Sequence, residues 1–322
     1  MAHYIVTGSS GFISSQTCEL LLSAGHAVTG IDNMNDAYDV RLKKYRLEKL
    51  LRHPKFIFSN TDITNLASLE KLNKTKYEAV INLGARAGVR ASATNPYIYY
   101  DTNVIGCLNL LEIAKRFQIP KFILASTSSV YGEINSIPYK ENDITDLPLS
   151  QYAASKKAAE TLTHTYYNLY GLDVTVLRYF TVYGPAGRPD MSVMRFIKWI
   201  IEGEEVRVFG DGTQSRDFTY VQDIAKGTIL GLKKIGYEII NLGSDNPVSI
   251  MEIISIIEKV TGKKAQIKFM PKNPLDINAT WANIAKAKTI LKWQPEMKIK
   301  NGLTECIEWY IENRHWAKDV KF

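Results

Sequence analysis

Over the first 130 residues, short apolar runs alternate with longer amphipathic stretches, a rhythm that predicts strand, helix and strand in turn. Residues 4–6 predict a strand, followed by a loop and a helix to about Ala24. Residues 27–31, 56–58, 79–83 and 122–125 predict further strands, and 175–178 adds another. Across 103–117, Val104, Leu108, Leu111 and Ile113 fall at helical spacing. Such alternation implies parallel strands joined by right-handed crossovers, so the expected fold class is α/β with a doubly wound parallel sheet. Beyond Gly184-Pro185 the rhythm breaks into short strands (206–209, 239–241) and isolated helices punctuated by Pro271, Pro274 and Pro295. The chain is therefore expected to divide into a first domain over 1–180 and a smaller mixed α/β domain over 181–322, with some chain exchanged between them.

The 322 residues suit two domains, and 45% hydrophobic with 23% charged residues exclude a disordered chain or a rod. No run approaches the ~18 uncharged apolar residues a membrane span requires. Met1-Ala2-His3 leads straight into a strand, so no secretory leader is expected. Cys18, Cys107 and Cys306 are far apart without metal-ligand spacing and read as reduced thiols, two of them in helices, in a cytoplasmic protein. The net charge of +7 fits an anionic small substrate as well as nucleic acid. Residues 41–52 carry six basic side chains, but Leu42, Tyr45, Leu47, Leu50 and Leu51 fall near helical spacing. That stretch reads as a solvated amphipathic helix, and no nucleic-acid partner is expected.

Gly8-Ser9-Ser10-Gly11-Phe12-Ile13-Ser14 lies between the first strand and helix. There Gly8 permits a tight turn, and Gly11 lets the backbone approach a diphosphate at a helix N-terminus. The usual third glycine is Ser14, whose small side chain is expected to pack slightly less well. Asp32 ends the second strand 24 residues after Gly8, where a carboxylate accepts hydrogen bonds from a ribose and disfavours a 2′-phosphate. The expected ligand is NAD in a Rossmann domain, with Asn33 beside Asp32, and with Asp62 and Ile63 near the adenine. Lys43 is expected to reach a cofactor phosphate.

Tyr152 and Lys156 are four residues apart, hence on one helix face. A nearby ammonium favours phenolate and makes tyrosine a usable base. Ser126, Thr127, Ser128 and Ser129 follow a predicted strand, where open sheets bind ligands.

The ordered set Thr7-Gly8-x-x-Gly11-Phe12-Ile13, Asn82-Leu83-Gly84-Ala85, Asn103, 126–132, Tyr152-x-x-x-Lys156 and 178–185 resembles the extended short-chain dehydrogenase/reductase group of nucleotide-sugar epimerases and dehydratases. The resemblance runs from about residue 3 past 280. It implies Tyr152 as acid/base, Thr127 on a sugar hydroxyl and Lys156 on the cofactor. It further implies cofactor contacts at Phe12, Ile13, Leu83, Ala85, Asn103, Ser126 and Tyr179. Gly84 and Asn283 depart from the usual alanine and aspartate; neither is expected to abolish activity.

In this family the chemistry begins by oxidising C4 of a nucleotide-linked hexose. The dehydratase branch carries an Asp-Glu pair after the threonine, and the decarboxylating branch a glutamate, where this chain has Ser128 and Ser129. Without an added acid, the expected outcome is inversion at C4 with tightly bound NAD⁺ regenerated each turn. Residues 32–40, 88–90 and 180–191 resemble the uronic-acid 4-epimerase branch. The expected reaction is UDP-glucuronate to UDP-galacturonate, the alternatives being UDP-glucose/UDP-galactose exchange or decarboxylation of UDP-glucuronate. Thr181, Ser128 and Ser129 are expected at the substrate carboxylate, with Arg188 or Arg90 supplying charge, although each arginine has surface carboxylates as rival partners. Arg216 and Arg195 are expected at the diphosphate and Asp276 near the uridine ribose or a closing loop. The family's arginine just upstream of Asp276 is missing, residues 272–275 being Lys-Asn-Pro-Leu. The resemblance also implies a homodimer through the helices of 103–117 and 151–170, with Tyr166, Tyr167 and Tyr170 as candidate contacts.

Overall fold

The computed structural model describes residues 1–73 and 75–321; Lys74 and Phe322, the latter closing the expected second domain, lie outside the described residues. The strands are β1 (His3–Thr7), β2 (Ala27–Asp32), β3 (Phe56–Asn60), β4 (Ala79–Asn82), β5 (Lys121–Thr127) and β6 (Asp173–Tyr179). They continue as β7 (Thr181–Tyr183), β8 (Glu205–Phe209), β9 (Ser215–Tyr220), β10 (Tyr237–Leu242), β11 (Pro247–Ser249) and β12 (Gln266–Met270). Among the described residues, seven form one sheet in the order β10-β6-β5-β4-β1-β2-β3, every neighbouring pair parallel. Every residue of β4 and β5 is buried, as expected of strands covered by helices on both faces. The six strands expected in the first 180 residues are all present.

Residues 239–241, expected with the second domain, lie instead in β10, where Asn241 pairs with Arg178. Ile240 and Leu242 are fully buried in the core beneath the large sheet, which draws the chain back to that edge. The remaining strands build two small sheets, β11-β9-β7 and β12-β8. Over them the helices Ser192–Glu202, Ile250–Thr261 and Ile299–Glu312 bury Ile197, Ile253, Ile257 and Leu303 in a separate core.

The helix Val40–Leu51 is amphipathic as expected and is capped by Asp39, whose carboxylate accepts the Arg41 N–H at 3.0 Å. It is not wholly solvated on its basic side, because Lys43 and Arg46 are buried. The helix expected over 103–117 starts in a π-helical turn, Asp101–Ile105, and continues as Gly106–Arg116. The helix Gln151–Tyr170 is capped by the Ser150 hydroxyl and ends at Gly171, at φ 67°. All three cysteines, rather than two, lie in helices, and all are buried. Among the described residues no helix is long and apolar enough to cross a membrane.

Candidate active site

In a doubly wound sheet, the crevice opens where neighbouring strands send their connections to opposite sides. Here that point lies between β1 and β4. Gly8 leaves β1 at φ 65°, and a Cβ on it would come within 2.9 Å of Gly84 Cα. Gly84 has the same need: an added Cβ would lie 3.0 Å from Thr7 Oγ1, which accepts the Gly84 N–H at 2.9 Å. The departure from alanine thus accompanies an unusually close approach of the two loops. Ser14 also does more than fit, since its hydroxyl donates to the Thr7 carbonyl at 3.2 Å and ties helix to strand.

The helix Phe12–Ser23 begins at Gly11 with no side-chain cap, leaving its first amides free for an anion. The Ser9 and Ser10 hydroxyls beside it are buried without a hydrogen-bond partner. A cleft of about 210 Å³ extends from this loop and is lined by Gly8, Gly11, Phe12, Ile13, Asp32, Asn33, Lys43, Asp62, Ile63, Leu83, Ala85, Ser126, Tyr152, Lys156 and Tyr179. Open amides at one end and a carboxylate at the end of β2 fit a dinucleotide. Asp32 accepts the Ser10 and Met34 N–H groups at 3.1 and 2.8 Å. Asp62 accepts from Asn33 at 2.7 Å, fixing both beside Ile63. Lys43 lies 3.1 Å from Asn35 Oδ1 and 3.4 Å from Asp32, at the carboxylate end rather than against the glycine loop. Asn103 is the one expected cofactor residue that does not line the cleft. It braces the wall, bonding both the N–H and the carbonyl of Arg86 and the Ser155 hydroxyl.

A second cavity of about 350 Å³ adjoins the cleft, and Ser126, Tyr152, Tyr179 and Arg188 line both. Thr127, Ser128, Ser129, Thr181, Arg216 and Asp276 line the second. Tyr152 therefore stands at the junction. Burial raises its pKa, opposed by a hydrogen bond with Thr127 and by the charge of Arg188. The charge of Arg188 thus joins that of the expected Lys156, which lines the same cleft as Tyr152. Lys156 is itself pushed down to about 8 by burial, with Cys107 and Glu160 opposing.

Three of the four expected substrate arginines, Arg90, Arg188 and Arg216, have found a carboxylate or a carbonyl. Arg188 grips Asp190 through two bonds of 3.0 and 2.6 Å while still facing both cavities. Arg90 bonds Asp276 at 2.5 and 3.3 Å and lies over the Phe209 ring, so it closes the rim from behind Asp276. Arg216 donates to the Ser215 carbonyl at 2.8 Å. Arg195 does not line the cavity; it lies over the Trp199 ring with its buried Nε unpartnered.

The residue pattern did not single out three buried groups around the site. Arg46 bonds the glycine loop, and Glu160 with Arg178 forms an ion pair behind Ser126. The available signal was the spacing Tyr152, Lys156, Glu160, which puts an acid on the sheet-facing side of the helix.

A family model described as the NAD dependent epimerase/dehydratase family matches residues 4–243. The chain is 54% identical to a UDP-glucuronate 4-epimerase of Thermodesulfobacterium geofontis, over 100% of both chains. It is similar to the solved UDP-glucuronic acid 4-epimerase of Bacillus cereus in complex with UDP-glucuronic acid and NAD. That structure gives a TM-score of 0.92 at 38% identity, covering 97% of this chain and 99% of the other. It is also similar to the UDP-glucose 4-epimerase of Thermotoga maritima with UDP-glucose, at TM-score 0.90 and 30% identity over 97% and 99%.

Proposed function

The chain belongs to the NAD-dependent epimerase/dehydratase family, and on that premise we propose that it inverts C4 of a UDP-hexuronic acid, converting UDP-glucuronate to UDP-galacturonate. The observation that carries this reading is the lining of the second cavity. Thr127, Ser128, Ser129 and Thr181 offer four hydroxyls beside Arg188, while the one carboxylate among the described lining residues, Asp276, is held by Arg90. That set suits an anionic sugar and supplies no free acid to eliminate water.

NAD supplies the hydride acceptor and donor when bound. Tyr152 takes the C4 hydroxyl proton and returns it after the sugar turns over. Thr127, which lines the same cavity as Tyr152, aligns the hydroxyl, and Arg188 favours the phenolate through its charge. Lys156 lines the cleft beside Tyr152 and holds the cofactor. Arg216 meets the diphosphate with a guanidinium suited to phosphate oxygens. The pocket hydroxyls and Arg188 hold the substrate carboxylate, which matters because a 4-keto uronate is a β-keto acid prone to lose CO₂.

In this reading residues 1–180 with β10 bind NAD and the rest of 181–322 grips the nucleotide sugar. The enzyme works in the cytoplasm, where its three buried thiols stay reduced, and retains its NAD between turnovers. It pairs as a homodimer through the helices Gly106–Arg116 and Gln151–Tyr170, beside which Ile105, Tyr167, Leu169 and Tyr170 are exposed. Tyr166 is buried and bonds Glu112 instead, so it contributes nothing to that face.

Proton NMR of the protein with UDP-glucuronate and no added cofactor tests the reading. A new anomeric doublet of UDP-galacturonate is expected. UDP-pentose as the main product would make the enzyme a decarboxylase. Silence with UDP-glucuronate but turnover of UDP-galactose would move it to the neutral hexose.

A further inference from the structure

Arg46 is 3% exposed, yet every hydrogen bond its guanidinium makes among the described residues ends on a neutral oxygen. Nη1 donates to the Ser10 carbonyl of the glycine loop at 3.2 Å and to the Tyr38 hydroxyl at 2.8 Å. Nε and Nη2 donate to the Ala186 carbonyl at 3.1 and 2.6 Å, and Nη2 also approaches the Gly187 carbonyl at 3.4 Å. The Phe12 and Tyr38 rings flank it at 5.8 and 5.6 Å. A buried cation without a counter-ion is costly, and its natural complement is an anion close by. The free amides that open the helix Phe12–Ser23 lie directly beyond Ser10.

The other end of the fork explains a second anomaly. Ala186 is held at φ 52°, a conformation L side chains avoid, and its carbonyl takes two of the Arg46 bonds. Two residues later comes Arg188, which faces both cavities and whose charge acts on Tyr152. One guanidinium thus spans from the cofactor loop to the turn that aims the substrate-facing arginine.

We propose that Arg46 is a positioning residue that ties the diphosphate loop to the Ala186–Arg188 turn, so that the seated cofactor fixes where Arg188 meets the substrate carboxylate. This rests on the uronate reading above. Its charge favours the bound diphosphate, and its planar fork couples the two loops. Lysine can supply the first role but not the second, because a single ammonium cannot reach both carbonyls in place of the fork.

The test uses Arg46→Lys and Arg46→Met as purified holoenzymes. NAD retained per protomer after gel filtration is measured alongside the ratio of UDP-pentose to UDP-galacturonate formed from UDP-glucuronate. R46K is expected to keep its NAD yet raise the pentose ratio by roughly fivefold or more, because a misplaced Arg188 no longer restrains the carboxylate. R46M is expected also to hold NAD about tenfold more weakly, from the lost charge. Should R46M fail to fold, R46K alone decides the coupling. Wild-type partition in a folded R46K overturns the proposal. Wild-type enzyme run alongside separates the two failures, since absence of UDP-galacturonate from wild type overturns the substrate reading itself.

Discussion

Glu160 and Arg178 face each other between the helix Gln151–Tyr170 and β6, joined by bonds of 3.0 and 2.8 Å, and each is almost inaccessible to water. Glu160 Oε1 also accepts the Ser126 hydroxyl at 2.5 Å, and Arg178 Nη1 reaches the Tyr131 hydroxyl at 3.0 Å. The pair therefore fastens the helix bearing Tyr152 and Lys156 to the end of β5 bearing Ser126 and Thr127. Removing one member of such a pair strands the other charge. Glu160→Gln is expected to lose about 3–5 kcal/mol of unfolding free energy in urea titrations, and Glu160→Gln with Arg178→Met to recover part of it. A single-mutant loss below about 1 kcal/mol, the range of an exposed pair, would show that the pair is not the fastening.

Lys156 lies one turn before Glu160 on the same helix, and burial brings its pKa from 10.5 to about 8. Between those values the unfolded chain binds more protons than the folded one, so this residue's contribution to stability rises with pH. Below pH 8 the penalty for burying the ammonium is fully present, on the order of 3 kcal/mol at 1.36 kcal/mol per unit. Lys156→Met removes it. In cofactor-stripped protein the mutant should be the more stable at pH 7.5, and its advantage should shrink towards pH 10. Parallel stability curves for mutant and wild type would contradict the assignment.

Much of this arrangement was legible because it follows from local demands. Gly8 and Gly11 leave no room for a Cβ where the loop turns, and Asp32 ends β2, so order and spacing suffice to place them. Arg46 was hidden because a buried cation and a solvated one look alike on an amphipathic helix; what distinguishes them is the turn at Ala186, 140 residues away. Residues 239–241 read correctly as a strand, but which sheet takes them depends on pairing with β6, and local periodicity does not encode strand neighbours. Arg188 was singled out from the sequence, whereas its place between the two cavities beside Tyr152 needed the fold.

Tyr152 is the group at the cavity junction whose hydroxyl chemistry the reading requires. Tyr152→Phe is expected to cut kcat by about 10²–10⁴ while leaving retained NAD unchanged, since general acid–base catalysis contributes on that scale. The measurement is initial-rate kinetics beside NAD content of the purified mutant. A mutant within tenfold of wild type would place the proton transfer elsewhere.

Arg90 shapes the rim through Asp276 rather than lining the cavity, and it is partly exposed. Its loss should cost the fold little, about 0–1 kcal/mol. Arg90→Ala is expected to raise KM for the nucleotide sugar severalfold with kcat within about twofold, because it frees Asp276 without touching the reacting carbon. A large fall in kcat with unchanged KM would instead place Arg90 at the sugar.

Thr181 opens β7 and lines the cavity with Thr127, Ser128 and Ser129. A β-keto acid loses CO₂ fastest when the bond to its carboxylate aligns with the carbonyl π system, so hydrogen bonds that hold the carboxylate away from that alignment protect the intermediate. Removing one hydroxyl of the four should loosen that restraint without removing Tyr152 or the cofactor. Thr181→Ala is expected to raise the UDP-pentose fraction severalfold and to slow epimerisation by about tenfold or less, the scale of one lost hydrogen bond to a charged group. Thr181→Ser, which keeps the hydroxyl, should restore the wild-type ratio. Quantifying UDP-pentose and UDP-galacturonate by NMR in the three proteins decides it. An unchanged ratio in Thr181→Ala would place control of the carboxylate with Arg188 and the two serines alone.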